Sequence, residues 1–250
     1  MDRLIFTSLS GQRLTDLRVR QIANEIANVS TIGFKKEFAA ATETYRYDGA
    51  GYSSRFVPVV RVKERIDLSD GPIQSTGRPL DIAVHGTQLL AVLTDSGEVA
   101  YTRRGDLMVD SGGLLRVGSG ERIASDANTP IEIPELTEIK IGPDGTVLGK
   151  QIGGEAVIFQ PIARIQVVES DPVKVALRPD GLYQSIDAQP FAAAAVPAVQ
   201  AGFLEGSNVS LFSSMVDLIS MSRRYEMQVK ILKQASDLAE RSQNLARLST

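Results

Sequence analysis

One stretch limits what this chain can fold into more than any other: residues 209–248 contain neither Pro nor Gly. Leu211, Leu218, Tyr225, Leu232, Ala239 and Ala246 recur there at every seventh position. Met215 and Val229 form a second line, joined by the less apolar Ser222 and Ser236. Together the two lines read as the a/d seam of a heptad helix. Ile231, Leu238 and Leu245 add a third line, so the stripe is broader than one partner helix requires and suits contact with more than one neighbour.

The other end predicts a second helix. Residues 3–28 have no Pro and one Gly, Gly11, and Val19, Ile22, Ile26 and Val29 step by three and four along one face. Nearer the start the stripe drifts through Ile5, Leu9, Leu14 and Leu17, and Thr31-Ile32-Gly33 supplies a stop. Between the helices the chain is punctuated for β structure. Turns are signalled at Asp70-Gly71-Pro72, Asp95-Ser96-Gly97, Asp110-Ser111-Gly112-Gly113, Pro143-Asp144-Gly145 and Pro179-Asp180-Gly181. Short β-rich runs such as Leu80–Val84 and Val157-Ile158-Phe159 lie between them, without βαβ alternation.

The expected fold class is therefore α+β: a mainly-β central domain with N- and C-terminal α-helices pairing as a coiled coil. The expected division is an N-terminal helix over 1–35, an extended connection over 36–75 and a β-rich outer domain over 76–190. A linker over 191–208 follows, then the C-terminal helix over 209–250, with both helices belonging to one discontinuous domain.

Composition narrows the chemistry. The net charge is -3, so no global basic field draws nucleic acid or anionic lipid. There is no Cys and one His, His85, which excludes thiol chemistry, disulfides and Cys/His zinc sites. No run approaches the ~18 apolar residues of a membrane span. The apolar stretch Leu4-Ile5-Phe6 is too short for the core of a cleavable signal peptide. Taken alone this reads as cytoplasmic, and a chain exported without a cleaved signal would look the same.

Family signatures then come into view. Ala23-Asn24, Ala27-Asn28, Thr31 and Gly33-Phe34-Lys35 carry every fixed position of a pattern found at the N-terminus of flagellar rod, hook and hook-associated proteins. Thr76–Gly86 and Tyr101–Asp106, followed by Asp110, Gly113 and Leu114, resemble that family's central blocks. Gly202–Val209 and Arg224-Tyr225-Glu226 are similar to its C-terminal signature. The opening Met1–Phe6 resembles the proximal-rod branch more than the distal-rod branch, and hook-type proteins are the further alternative. One departure is Gln88-Leu89-Leu90, where the family usually carries aromatics.

The resemblance implies a non-enzymatic structural subunit of the basal-body rod, with no cofactor, no catalytic residue and no metal. It implies helices packed as a coiled coil at the inner wall of a helical tube, with the β body outside. Partners would be the chain itself, other rod proteins and the flagellar type III export apparatus, with no nucleic acid and no direct membrane insertion. Localisation would be the periplasmic rod, reached without signal cleavage. Terminal helices that are poorly ordered alone would order on meeting neighbours, since burial of the stripes offsets the entropy of ordering. The expected subunit-interface positions are Ile22, Asn24, Ile26, Asn28, Gly33, Phe34, Asn208, Met215, Leu218, Tyr225, Val229 and Leu232.

Several residues admit two readings. Asn24 and Asn28, one turn apart, suit either a solvated face or amide hydrogen bonds to neighbouring subunits or the following loop, which the resemblance favours. Asn208 or Ser210 suits the cap of the last helix. Arg104-Gly105-Asp106 spells an integrin-type tripeptide inside a hairpin block. The Asn28 and Asn208 sequons fall in packed helix-end signatures, and Gly145–Lys150 is one residue short of a phosphate loop and reads as a hairpin turn. Asp81, Asp106 and Asp110 have the chemistry for an acid–base pair, which would make an Asp-dependent hydrolase, but turn and strand-edge duty accounts for them.

Overall fold

The computed structural model describes residues 2–38, 41–47, 55–61, 65–134, 137–151 and 158–248. Met1 and Val157 lie outside the described residues, as do the side chains of Ile5, Leu9, Leu14, Ala239, Leu245 and Ala246. The architecture is mainly β with a helix near each end, and it divides into two compact units. One unit comprises Met1–Ala27, Ala39–Glu64 and Ser210–Thr250; the other comprises Asn28–Phe38 and Arg65–Val209.

The first unit holds helices α1 (Asp2–Ala27) and α2 (Leu211–Leu248) and an antiparallel hairpin of Ala41–Tyr47 with Arg55–Arg61. The helices run antiparallel: Gln228 Nε2 donates to Thr15 Oγ1 at 3.4 Å, and Ser214 Oγ donates to Glu25 Oε2 at 3.4 Å. Among the described side chains of α1, Thr15, Ile22 and Glu25 are buried, with Arg18 and Val19 half-buried between them and Ile26 half-buried beyond. That is the three-and-four spacing of one helix face, though its members are more polar than the apolar pattern alone indicates. Helix α2 begins at a serine cap. Ser210 Oγ accepts the Ser213 backbone N–H at 3.5 Å, immediately before the first helical residue, Leu211.

The second unit is built on one nine-stranded antiparallel sheet. Its middle strand, Gln88–Leu93, is buried at every residue, and the period of two divides it between two cores. Leu90 and Val92 enter a core with Val84, Leu107, Leu115, Ile123, Val147 and Ile165. Leu89, Ala91 and Leu93 enter the other with Ile66, Leu68, Tyr101, Val175 and Tyr183. This accounts for Gln88-Leu89-Leu90 in place of aromatics. The leucines fill opposite cores, and the Gln88 amide donates to Val196 O and accepts from Ala198 N, both at 2.9 Å. A three-stranded sheet of Thr137–Ile141, Thr146–Gln151 and Gln160–Arg164 adds Ile141 and Val147 to the first core.

Residues 65–75 and 191–209 do more than connect. Ile73–Ser75 pairs with Phe203–Glu205, and Ile82–Val84 pairs with Val199–Ala201. Strands from both ends of this unit's sequence thus close onto each other. Two of the three aspartates hold turns and edges: Asp110 Oδ1 accepts from the N–H groups of Gly112 and Leu114, and Asp106 pairs with Arg104, whereas the Asp81 carboxylate is buried with the Arg78 guanidinium 3.4 Å away. The hydrogen bond from Arg116, then those from backbone N–H groups, holds the Asp110 carboxyl below the usual carboxylate range.

Candidate functional site

Two arrangements stand out, one in each unit. In the second unit the three signature blocks converge on a buried carboxylate. Glu205 ends the short strand Phe203–Glu205, and pairing with Ile73–Ser75 turns its side chain inward. Its Oε1 accepts from Lys35 Nζ at 2.6 Å and from the Gly71 N–H at 2.7 Å. Its Oε2 accepts from Arg103 Nε at 2.6 Å, and its backbone carbonyl accepts from the Gly33 N–H at 2.8 Å. The side chains of Lys35, Arg103 and Glu205 are all fully buried.

Each cation has further acceptors, as burial demands. Lys35 Nζ reaches Ser69 O at 2.6 Å; Arg103 donates to Gly86 O at 2.9 Å, to Gln88 O, and to Asp70 Oδ1 at 2.7 Å. Asp70 is half-exposed, so the chain of charges runs from the core to the surface. Burial first, then repulsion from the Arg103 guanidinium, pulls the Lys35 ammonium below the ordinary lysine range against the attraction of Glu205.

Gly33 explains why the first block needs glycine. Its φ is 68°, and a Cβ there would lie 2.5 Å from the Arg103 carbonyl carbon. Phe34 passes its carbonyl to the Asn208 N–H at 3.3 Å. Asn208 is not the helix cap; its amide ties three segments together instead. Oδ1 accepts from the Lys36 N–H at 2.7 Å, and Nδ2 donates to Asp67 O at 2.8 Å. The Asn28 amide acts on the following loop, accepting from Thr31 Oγ1 at 3.1 Å.

In the first unit, Ile22 is fully buried, Ile26 half-buried and Asn24 exposed. Along α2, Leu218 and Leu232 are half-buried, while Met215, Tyr225 and Val229 are exposed. The line that accompanies the heptad leucines toward α1 is Ser214, Met221 and Gln228, not Met215 and Val229. Opposite it lies a second apolar face carrying Phe212, Val216, Ile219, Met227, Ile231 and Leu238. Phe212 is 83% exposed and Ile219 is 55% exposed. At 100° per residue these six fall within about a third of the helix circumference.

Lys35, Arg103 and Glu205 were absent from the positions expected to matter, although each sits inside a signature block. The available signal was a charge directly following apolar residues inside a signature block, as in Gly33-Phe34-Lys35 and Phe203-Leu204-Glu205. Among the described residues no helix is long and apolar enough to cross a membrane.

Comparison with known proteins bears on both arrangements. Residues 83–149, which include Arg103, match the family described as flagellar hook protein FlgE/F/G D1 domain. Residues 200–245, which include Glu205, Asn208 and most of α2, match the flagellar basal body rod FlgEFG protein C-terminal family. The flagellar basal-body rod protein FlgF of Escherichia coli is 32% identical over the full length of both chains. FlgF of Salmonella typhimurium is 30% identical, again over the full length of both. The flagellar basal-body rod protein FlgG of Bacillus subtilis is 29% identical over 99% of this chain and all of that one. With signature blocks in order and full-length identity above 30%, the chain belongs to the flagellar basal-body rod protein family and is most like its FlgF members.

Proposed function

We propose that this rod protein of the flagellar basal body polymerises through its terminal helices into the shaft that transmits torque. The observation that carries the reading is the second apolar face of α2, with Phe212, Val216, Ile219, Met227, Ile231 and Leu238 exposed on the side away from α1. Full burial of one such side chain contributes about 1.5–3 kcal/mol. Six of them amount to roughly 10 kcal/mol, enough to offset a large part of the cost of association.

Met215 borders this face, while the exposed Tyr225 and Val229 lie on the heptad side of the helix and suit contact with a further neighbour. In this reading the two helices pair as a coiled coil, and one face of α2 is left for sister subunits. A head-to-tail contact of this kind, repeated without closure, builds a helical filament. The family resemblance adds type III export without signal cleavage, a periplasmic rod and neighbouring rod proteins as partners. The helices lie at the inner wall with the β body outside, and they gain full order on meeting their neighbours.

The test is Ile219→Asp in the full chain, complementing cells that lack the protein. A charge there leaves the folded monomer intact, because the side chain touches no core, but it abolishes incorporation into basal bodies and motility. Normal rods and normal swimming with a fully expressed, folded variant would refute helix-mediated assembly.

A further inference from the structure

We propose that Glu205 is the closing residue of the second unit, which stays open until the last fifth of the chain is present. The residues that Glu205 joins are far apart in sequence: Lys35 lies 170 positions away and Arg103 lies 102. Before Glu205 arrives, two cations destined for complete burial share one carboxylate, that of half-exposed Asp70. Of the two cations only Arg103 hydrogen-bonds to Asp70, so Lys35 is left without a directly bonded carboxylate. An ammonium buried without a counter-charge is among the most costly states a fold can adopt. The closed form is therefore inaccessible to a chain that lacks its C-terminal signature.

Other groups supplied by the same late segment point the same way. Asn208 satisfies the Lys36 N–H and the Asp67 carbonyl. Glu205 O satisfies the Gly33 N–H, and Gly202 O accepts from the N–H groups of Thr76 and Gly77. The Gln88 amide waits for Val196 and Ala198. Residues 28–38, 65–77 and the Arg103 strand thus receive their missing partners from one segment, 196–208. A chain delivered N-terminus first keeps this unit unlocked along most of its length. The inference is independent of helix-mediated assembly, since every group named lies in the second unit.

Hydrogen exchange on the full-length protein tests it, comparing wild type, Glu205→Gln and the double variant Lys35→Met/Glu205→Gln. Gln keeps the shape of Glu while removing the charge and turning one of its two acceptor oxygens into an NH2 donor. In the single variant, protection in 28–38, 65–77 and 99–103 falls together with that in 203–208, by a common factor of about a hundredfold or more. The double variant recovers most of that protection, because the unpaired ammonium has gone and Arg103 retains Asp70. If the single variant does not fold, a folded double variant supports the proposal and an unfolded one overturns it. Loss confined to 203–208, or a double variant no better than the single, likewise overturns it.

Discussion

Gly33 and Gly77 offer a matched pair for testing how closely the signature blocks are fitted. Their φ values are 68° and 71°, so alanine meets the same backbone penalty at both, about 1–2 kcal/mol. The unfolded-chain entropy gain from Gly→Ala, about 0.4–1 kcal/mol, is also common to the two. What differs is space. A Cβ at Gly77 meets nothing within 4 Å, whereas one at Gly33 lies 2.5 Å from Arg103 C, 2.6 Å from Arg103 O and 2.7 Å from Arg104 N. These are backbone atoms of a buried residue, so relief requires the Gly33 loop to move away from Glu205 O and weaken a 2.8 Å hydrogen bond. Overpacking of this kind costs roughly 1–3 kcal/mol. Gly77→Ala should therefore lower stability by about 0–1.5 kcal/mol, and Gly33→Ala by about 1–3 kcal/mol more than that. The chain has no Trp, so urea unfolding is followed by tyrosine fluorescence, reporting on Tyr101 and Tyr183 in the second unit. Equal losses within about 0.5 kcal/mol would refute the close approach of the first and central blocks.

Asn208→Ala should cost about 1–3 kcal/mol in the same assay, because it strands the Lys36 N–H and the Asp67 carbonyl, while Ser210→Ala costs about 1 kcal/mol of helix cap. Lys35→Met should change the alkaline limb of the stability profile. The folded pKa of Lys35 lies below its unfolded value, so between the two the unfolded chain binds the extra proton and stability rises with pH toward the ordinary lysine value of about 10.4. The variant lacks that rise, and an unchanged alkaline slope by chemical denaturation at stepped pH would count against it. Asp110→Asn acts on the acid limb. Its depressed carboxyl contributes stability that is present above the ordinary value of about 3.9 and lost as pH falls through the folded value, so the variant should lose less stability on acidification.

Local pattern was enough for the helices and the turns. A run of 38 helical residues in α2 follows from heptad apolar spacing with no Gly or Pro to interrupt it. The turn at Asp110 follows from a carboxylate placed to accept its own following N–H groups. In both cases the cause lies within a few residues of the effect. The choice of seam on α2 was a different matter. Sequence favoured Met215 and Val229 beside the leucines, yet Ser214 and Gln228 meet α1, because Glu25 and Thr15 present polar groups that need partners.

The junction at Glu205 was decided by tertiary structure alone. Taken singly, Lys35, Arg103 and Glu205 read as solvated charges, since an isolated ion belongs in water. Only the pairing of Phe203–Glu205 with Ile73–Ser75 brings a carboxylate to the two cations and makes their burial tolerable. Compensation across a separation of 170 residues has no short-range signature, because desolvation and Coulomb attraction depend on distance in space and not on position along the chain.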